Sequence, residues 1–572
     1  MISTITPATA VSPQISAPKL ISFSKDTSTK QTLLYCCSMA AFLTGLVVGI
    51  LGIYCYYWAH SSTDPRLPLG SPKPTKKPHI IFILADDLGW SDVSFHGSSQ
   101  IPTPNIDSLA NEGVILNSFY AQYMCTPSRA ALLTGKYPTR VGLQHYVLGA
   151  LEPRGLDLTV KLLPQYLQDA GYKTHMVGKW HLGMYRREMT PLFRGFDSFF
   201  GFYSGNNDYY NYTPTAKFPP GYVKFDLWDN LEPGWKYIGQ YATELFTEKA
   251  VDRILSHNPE DPFFLYLPQI APHWASFAEP IQAPQKYVDR FPHITHEGRR
   301  KYAGSIAALD DSVGQVIAAL KSKGMYENSI VVFSSDNGGS GFENAFDDLP
   351  AAHASNWPLR GAKTSQWEGG LRVTACIASP LLEKPKRVSN ELFHITDWFT
   401  TFLRLAGIQK PDEIDGYDIW DSISRDRPSP RTEILHQIDP VWKEYALRWN
   451  QYKLVIGSYT NASGYRIDQW YSEEDGFDTT FFDSTAKGAI TCEDLETAQR
   501  IPCAYTEEPC LYDIHNDPCE YRNIAADKPD IVGLLMVKLN EYNRTALPSR
   551  KLPRDPRSQA SLTGGLCQPW SA

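Results

Sequence analysis

From residue 79 onward, short apolar runs alternate with amphipathic stretches. Residues 79–84 (HIIFIL) form a nearly unbroken apolar run, as expected for a strand covered on both faces. A helical pattern spans 104–112, opening on Pro104 and stopped by Gly113. A second amphipathic helix is predicted at 160–170, ended by Gly171, with a strand at 173–177. Two more short apolar strands, 263–267 and 330–334, each follow a helical pattern, at 241–257 and 299–323. Strands alternating with helices predict an α/β fold with a mostly parallel sheet flanked by helices. Past residue 430 the rhythm changes. Short alternating runs such as 446–456 predict a smaller antiparallel sheet, and a last helix at 529–542 packs on it. No internal repeat is visible.

The first 78 residues read differently. Residues 1–32 are rich in Ser, Thr and Pro and read as a disordered tail. Residues 33–58 carry no charge, and the run of about 26 residues exceeds the ~20 that cross a bilayer as a helix. Tyr54, Tyr56, Tyr57 and Trp58 cluster at its far end, where an aromatic belt sits. A cleaved secretory signal is the alternative, but the run is long for one and begins late, so a transmembrane signal-anchor is preferred. Residues 59–78 are proline-rich and read as a stiff stalk. The organisation expected is therefore tail, anchor, stalk, a catalytic domain at 79–430 and a C-terminal subdomain at 431–572.

Lysines and arginines flank the span on both sides, so charge does not set its orientation. Three glycosylation triplets, beginning at Asn211, Asn461 and Asn543, all follow it. Cys492, Cys503, Cys510 and Cys519 crowd the C-terminal part, together with Cys567; Pro509-Cys510…Pro518-Cys519 has the look of a local staple. Disulfides need an oxidising compartment. The sequence thus predicts a single-pass type II membrane protein with its catalytic part in the lumen or outside the cell. Net charge is -8, which gives no reason to expect a nucleic-acid partner.

Candidate chemistry sits where strands end. Asp86-Asp87 directly follows the first apolar run, and Asp336-Asn337 follows the run at 330–334. Adjacent carboxylates repel, and a hard cation relieves that cost; a solvated turn is the bland alternative. All-oxygen ligation favours calcium or magnesium over zinc. The segment Cys125-Thr126-Pro127-Ser128-Arg129, followed by Ala130-Ala131-Leu132-Leu133-Thr134-Gly135, is the most informative in the chain. It resembles the signature of the sulfatase family. Gly178-Lys179-Trp180-His181-Leu182-Gly183 resembles that family's second signature; His273 in APHW and Lys363 in LRGAK stand at further family positions. By alternation along a strand, Lys179 and His181 are expected on one face.

The likeness covers nearly all of 79–545. It is nearest to the branch containing arylsulfatase B, an N-acetylgalactosamine-4-sulfatase, and arylsulfatases I and J. The stretches at 142–145, 208–210, 356–361, 415–420, 427–431 and 436–440 carry this closer resemblance. The resemblance implies an alkaline-phosphatase-like fold and hydrolysis of sulfate esters. It implies that Cys125 becomes Cα-formylglycine through a formylglycine-generating enzyme. It further implies one calcium ion held by Asp86, Asp87, Asp336, Asn337 and the hydrated aldehyde at 125. Arg129 and Lys179 would hold the aldehyde, Lys179, His273 and Lys363 would bind substrate, His273 would act as acid and His181 as base. A sulfated carbohydrate or aryl sulfate is the expected substrate. A phosphoryl-transfer enzyme is disfavoured by the cysteine and by the shortage of histidine ligands, and a non-catalytic glycan binder by the filled site positions.

Overall fold

The computed structural model describes residues 76–214, 224–276, 278–341, 352–457, 476–493, 501, 503, 508–549 and 551–571. The predicted span at 33–58 and the sequon at Asn461 lie outside these residues. Among the described residues no helix is long and apolar enough to cross a membrane.

The central sheet is built around β1 (His79–Ala85), with every residue buried. Its neighbours are β2 (Lys173–Lys179), β3 (Ser198–Phe202), β4 (Phe263–Pro268) and β5 (Ser329–Ser335). The parallel order is β5-β1-β4-β2-β3. An antiparallel strand, β6 (Ala375–Ala378), adds beside β5 and extends the mostly parallel sheet. Alternation sorts the run in β1 into two cores. Ile81, Ile83 and Ala85 join one and Ile80, Phe82 and Leu84 the other, which is why the run shows no polar face.

Helices cover both faces. They are α1 (Pro104–Glu112), α2 (Cys125–Thr134), α3 (Leu163–Asp169), α4 (Ala242–Ser256), α5 (Glu297–Ser322) and α6 (Asp397–Leu405). Residues of α1, α4 and α5 pack in the first core, and residues of α2, α3 and α6 in the second. The expected helix at 160–170 starts later, because Pro164 sits in the first turn of α3 and its missing N–H is harmless only there. All ten residues of α2 are buried, so it lacks the two-faced pattern that marks a surface helix.

Beyond residue 430 a four-stranded antiparallel sheet forms from β7 (Glu433–Asp439), β8 (Glu444–Trp449), β9 (Tyr452–Ile456) and β10 (Cys510–Asp513). The final helix α7 (Pro529–Thr545) supplies Leu535 and Leu539 to the core of this sheet. The cysteines close otherwise than the staple between Cys510 and Cys519. Cys503 pairs with Cys510, and Cys519 reaches back to Cys492. Cys567 is buried and unpaired.

Candidate active site

Three neighbouring strands end at one place. β1 leads into Asp86 and Asp87, β4 into the turn holding His273, and β5 into Asp336 and Asn337. Because β1 lies between β4 and β5, their carboxyl-end turns converge, as ligand-binding turns do in open α/β sheets. Asp87 has a left-handed backbone (φ 63°), which turns the chain sharply at the strand end. Its backbone N–H donates to Asp336 Oδ1 at 3.2 Å, tying the two strand ends together.

Cys125 opens α2 and reaches this cluster. Its Sγ lies 3.4 Å from Asp86 Oδ1, 4.0 Å from Asp87 Oδ1 and 3.4 Å from Lys363 Nζ. The ligand atoms of Asp86, Asp87, Cys125 and His273 all fall within 4.8 Å of one another. Arg129, one turn along α2, donates from Nε and Nη2 to Asp336 Oδ2 at 3.1 and 2.7 Å. Its Nη1 donates to the Lys179 carbonyl at 3.1 Å. Lys179 Nζ lies 2.6 Å from Asp86 Oδ2, and Lys363 Nζ lies 2.6 Å from Asp87 Oδ1. His273 Nε2 is 3.5 Å from Asp87 Oδ2, and its Nδ1 pairs with the Trp274 carbonyl at 2.7 Å, which orients the ring.

Burial and charge set the protonation states. Burial pushes the Cys125 thiol up to about 12 against the pull of Lys179 and Lys363, so the unmodified thiol stays protonated. Burial also acts to raise Asp86, but the permanent charges of Lys179, Arg129 and Lys363 prevail and hold it well below the usual carboxylate range. Asp336 is pushed up to about 6 by burial and by the nearby Asp86 charge. Burial lowers His273 to about 4 and drives His181 well below its ordinary value.

The donor set fits a hard divalent cation. Three carboxylates gather with Asn337, whose Nδ2 donates to Asp87 Oδ1 at 2.8 Å and to the Gly338 carbonyl at 2.9 Å. That orientation leaves Asn337 Oδ1 buried without a hydrogen-bond partner beside the carboxylates. A bare amide oxygen in such a place is a ligand in need of a cation.

A family model described as Sulfatase matches residues 78–408, a stretch that contains every residue of this cluster. The chain belongs to the sulfatase family. Mouse arylsulfatase J is 40% identical to this sulfatase over 523 residues, covering 89% of this chain and 83% of that protein. Human N-acetylgalactosamine-6-sulfatase is 30% identical, covering 79% of this chain and 81% of that protein. Among solved structures, Ps i-CgsB in complex with k-i-k-neocarrahexaose superposes with a TM-score of 0.66 at 27% identity, covering 84% of this chain and 96% of that one. Hydrolysis of sulfate esters is the reaction class of this sulfatase.

The structure brings Asp86, Asp87, Cys125, Arg129, Lys179, His273, Asp336, Asn337 and Lys363 together. His181 lies just past the strand, so alternation does not place it, yet it feels the charges of Lys179, Arg129 and Asp86. β2 ends at Lys179, His181 has φ 58°, and its Nε2 pairs with the Leu148 carbonyl at 3.1 Å while Nδ1 stays bare. Asn211 is exposed, with its Oδ1 accepting from the Thr213 N–H at 3.0 Å. Asn543 is exposed near the end of α7.

Sequence reading missed the residues that brace the aspartates. Ser335 Oγ accepts from the Leu88 N–H at 3.1 Å and donates to the Asn337 carbonyl at 2.8 Å. Asp92, held by Arg299 at 2.6 Å and by Tyr302 at 2.8 Å, fixes the turn that follows Asp87. Hydroxyls closing an apolar strand were the readable hint for Ser335; nothing local marks Arg299.

Proposed function

We propose that this sulfatase removes sulfate from a sulfated N-acetylgalactosamine, as in chondroitin or dermatan sulfate, using an aldehyde made from Cys125 and one bound calcium ion. The observation that carries the reading is the buried knot of opposite charges around Cys125 Sγ. A sulfate ester is anionic and repels an anionic attacker, so positive charge must be in place beforehand. Asp86, Asp87, Asp336 and Asn337 would hold the calcium, which when bound supplies charge beside the sulfuryl oxygens. Once hydrated, the oxidised side chain supplies the oxygen nucleophile that a protonated thiol does not.

The remaining roles fall to side chains already placed around residue 125. Lys363 and Lys179, now paired with Asp87 and Asp86, are the cations positioned to face the sulfate. Arg129 braces residue 125 from the next turn of α2. His273 delivers a proton to the departing alcohol oxygen. Burial keeps it neutral above about pH 4, so it takes up that proton with the anionic substrate or in an acidic compartment. His181, with its bare Nδ1, is the base that accepts a proton as the aldehyde reforms.

The names of the relatives, which include N-acetylgalactosamine-6-sulfatase, and the sugar-bound solved structure support a carbohydrate substrate. The reading also sets the catalytic part in an oxidising lumen or outside the cell, behind an anchor at 33–58. The two disulfides and the exposed Asn211 support that compartment.

Mass spectrometry of the peptide containing residue 125 tests the modification, with an aldehyde or its hydrate expected. The same sample should hydrolyse 4-methylumbelliferyl sulfate, lose that activity to a calcium chelator and regain it with calcium. A 4-sulfated disaccharide should be preferred over its 6-sulfated isomer. An intact thiol in an active sample would overturn the reading.

A further inference from the structure

The segment 142–156 crosses the residues on either side of Cys125. Tyr123 Oη accepts from the Tyr146 N–H at 2.9 Å and donates to the Gln144 carbonyl at 2.8 Å. Thr126 Oγ1 accepts from the Leu148 N–H at 3.1 Å, and His181 Nε2 pairs with the Leu148 carbonyl. The segment is therefore fastened close to the nucleophile on both sides and to the histidine proposed as base. Tyr146 also faces the charged cluster. Its hydroxyl feels the charges of Lys363, Cys125 and Glu152. The Lys551 ammonium lies over its ring at 4.3 Å, and Trp442 meets it edge-on at 5.7 Å.

Arg154 follows in the same segment. Its carbonyl oxygen and Gly155 press against Gly183, two residues beyond His181. Its Nε donates to Glu152 Oε2 at 3.2 Å. Both terminal nitrogens are buried with no hydrogen-bond partner, and the residue is 8% exposed. The other deeply buried arginines differ. Arg129 uses its terminal nitrogens on Asp336 and the Lys179 carbonyl, Arg299 on Asp92, Gln100 and the His353 carbonyl, and Arg431 on Asp397 and Tyr137. Among the described residues, Arg154 is the one arginine with both terminal nitrogens buried and bare. A guanidinium fork sealed in protein with two empty arms is costly unless something fills them, and a two-oxygen anion is the matching shape.

Glu152, the carboxylate paired with Arg154, already holds the third nitrogen and leaves the two terminal ones bare. Lys363 and Lys551, which act on Tyr146 earlier in the segment, add positive charge along it.

We propose that Arg154 sets substrate specificity: its guanidinium takes a second anionic group of the substrate, a carboxylate or sulfate on the sugar adjoining the one that bears the scissile ester. The inference rests on the sulfated-glycan function proposed for this site. It predicts that glycans with an acidic neighbouring sugar outcompete those with a neutral one.

The test uses the full chain, with residue 125 quantified by mass spectrometry in every sample. Wild type and Arg154→Gln are compared on 4-methylumbelliferyl sulfate and on three sulfated disaccharides. In the first the adjoining sugar is a uronic acid, in the second its carboxyl is reduced to the alcohol, and in the third the reduced sugar bears a second sulfate. In the variant, kcat/KM for the uronate disaccharide should fall roughly tenfold further than kcat/KM for the aryl sulfate, mainly through KM. The wild-type preference for uronate over reduced sugar should collapse. A preference that instead follows the second sulfate, and collapses in the same way, identifies sulfate as the group held.

Equal losses on every substrate, or no wild-type preference among the disaccharides, overturn the proposal. Thermal melting checks folding. If Arg154→Gln does not fold, Arg154→Lys should show the same change in ratio to a smaller extent, because a point charge replaces the fork. Calorimetric binding of the uronate disaccharide to Cys125→Ala, with and without Arg154→Gln, separates the two readings. Weaker binding in the double variant supports Arg154 even where the aryl sulfate is not turned over, an outcome that would sink the proposed hydrolysis alone; equal binding overturns Arg154.

Discussion

Lys363 touches both Asp87, the proposed metal ligand, and residue 125, the proposed nucleophile, at 2.7 Å from Asp87 Oδ2 and 3.4 Å from Cys125 Sγ. Burial works to strip its proton, but Asp87, Cys125 and Asp86 more than offset this, so it holds the proton more tightly than an ordinary lysine. A lysine so tightly protonated is a fixed charge for an anion and a poor base. Lys363→Ala should therefore lower kcat on 4-methylumbelliferyl sulfate by about 10²–10³-fold, the usual scale for losing one preorganised electrostatic donor. Stopped assays at saturating substrate measure this. A variant within about threefold of wild type would remove Lys363 from the chemistry.

At the scale of elements, one buried cation joins the small sheet to the large one. Lys453 on β9 lies 2.9 Å from Glu368, in the short helix Glu368–Leu371, and 2.9 Å from Glu520, which follows β10; all three are fully buried. Lys453→Met would leave two carboxylates facing each other without a counter-charge. A loss of about 3–5 kcal/mol is expected, the range for breaking a buried pair from one side, and urea unfolding reads it directly.

Elements of this kind differ in how openly the sequence shows them. The strand ends carrying Asp86, Asp87, Asp336 and Asn337 were legible, because an apolar run that stops on carboxylates is a local pattern. So was Cys125, through its motif. Helix α2 was not, since complete burial removes the alternation that periodicity detects. The position of His181 does not follow from strand alternation, because the strand ends at Lys179 and His181 takes a left-handed backbone that no glycine announces. The Lys453 and Arg299 contacts span 85 and 207 residues in sequence, so only the folded chain reveals them. Cysteine spacing hinted at a link between Cys510 and Cys519, but in the folded chain Cys510 meets Cys503 and Cys519 meets Cys492.

Across the whole molecule, two populations of buried titratable groups pull stability in opposite directions. Burial and Asp439 raise Glu444 to about 8, burial raises Glu520 to about 7 despite Lys453, and burial raises Asp310 to about 6. A carboxyl raised on folding stabilises fully below its unfolded value, and that contribution fades as pH rises through the folded one. Burial lowers His79, His175 and His353 to about 4 and His96 to about 3. A histidine lowered on folding acts the other way, and stability is lost as pH falls from its ordinary value towards those figures. Melting temperature should therefore peak in mildly acidic solution, between about pH 5 and 7, and fall on the alkaline side. Glu444→Gln should flatten the alkaline limb, as scanning calorimetry from acid to alkaline buffer would register. An unchanged limb would mean that Glu444 does not titrate there.

Cys125 is only 1% exposed, walled in by two aspartates and a lysine. If its oxidation is what arms the molecule, no modifying protein can reach that thiol after the strand ends have closed over it. Arming must precede collapse, so the two events compete in time. A copy that collapses first is stranded as a well-folded dud. Specific activity in any preparation would then report how that contest ended during biosynthesis, and heating or mild denaturant applied later would not rescue the losers unless the chain were opened fully and met its modifying partner again.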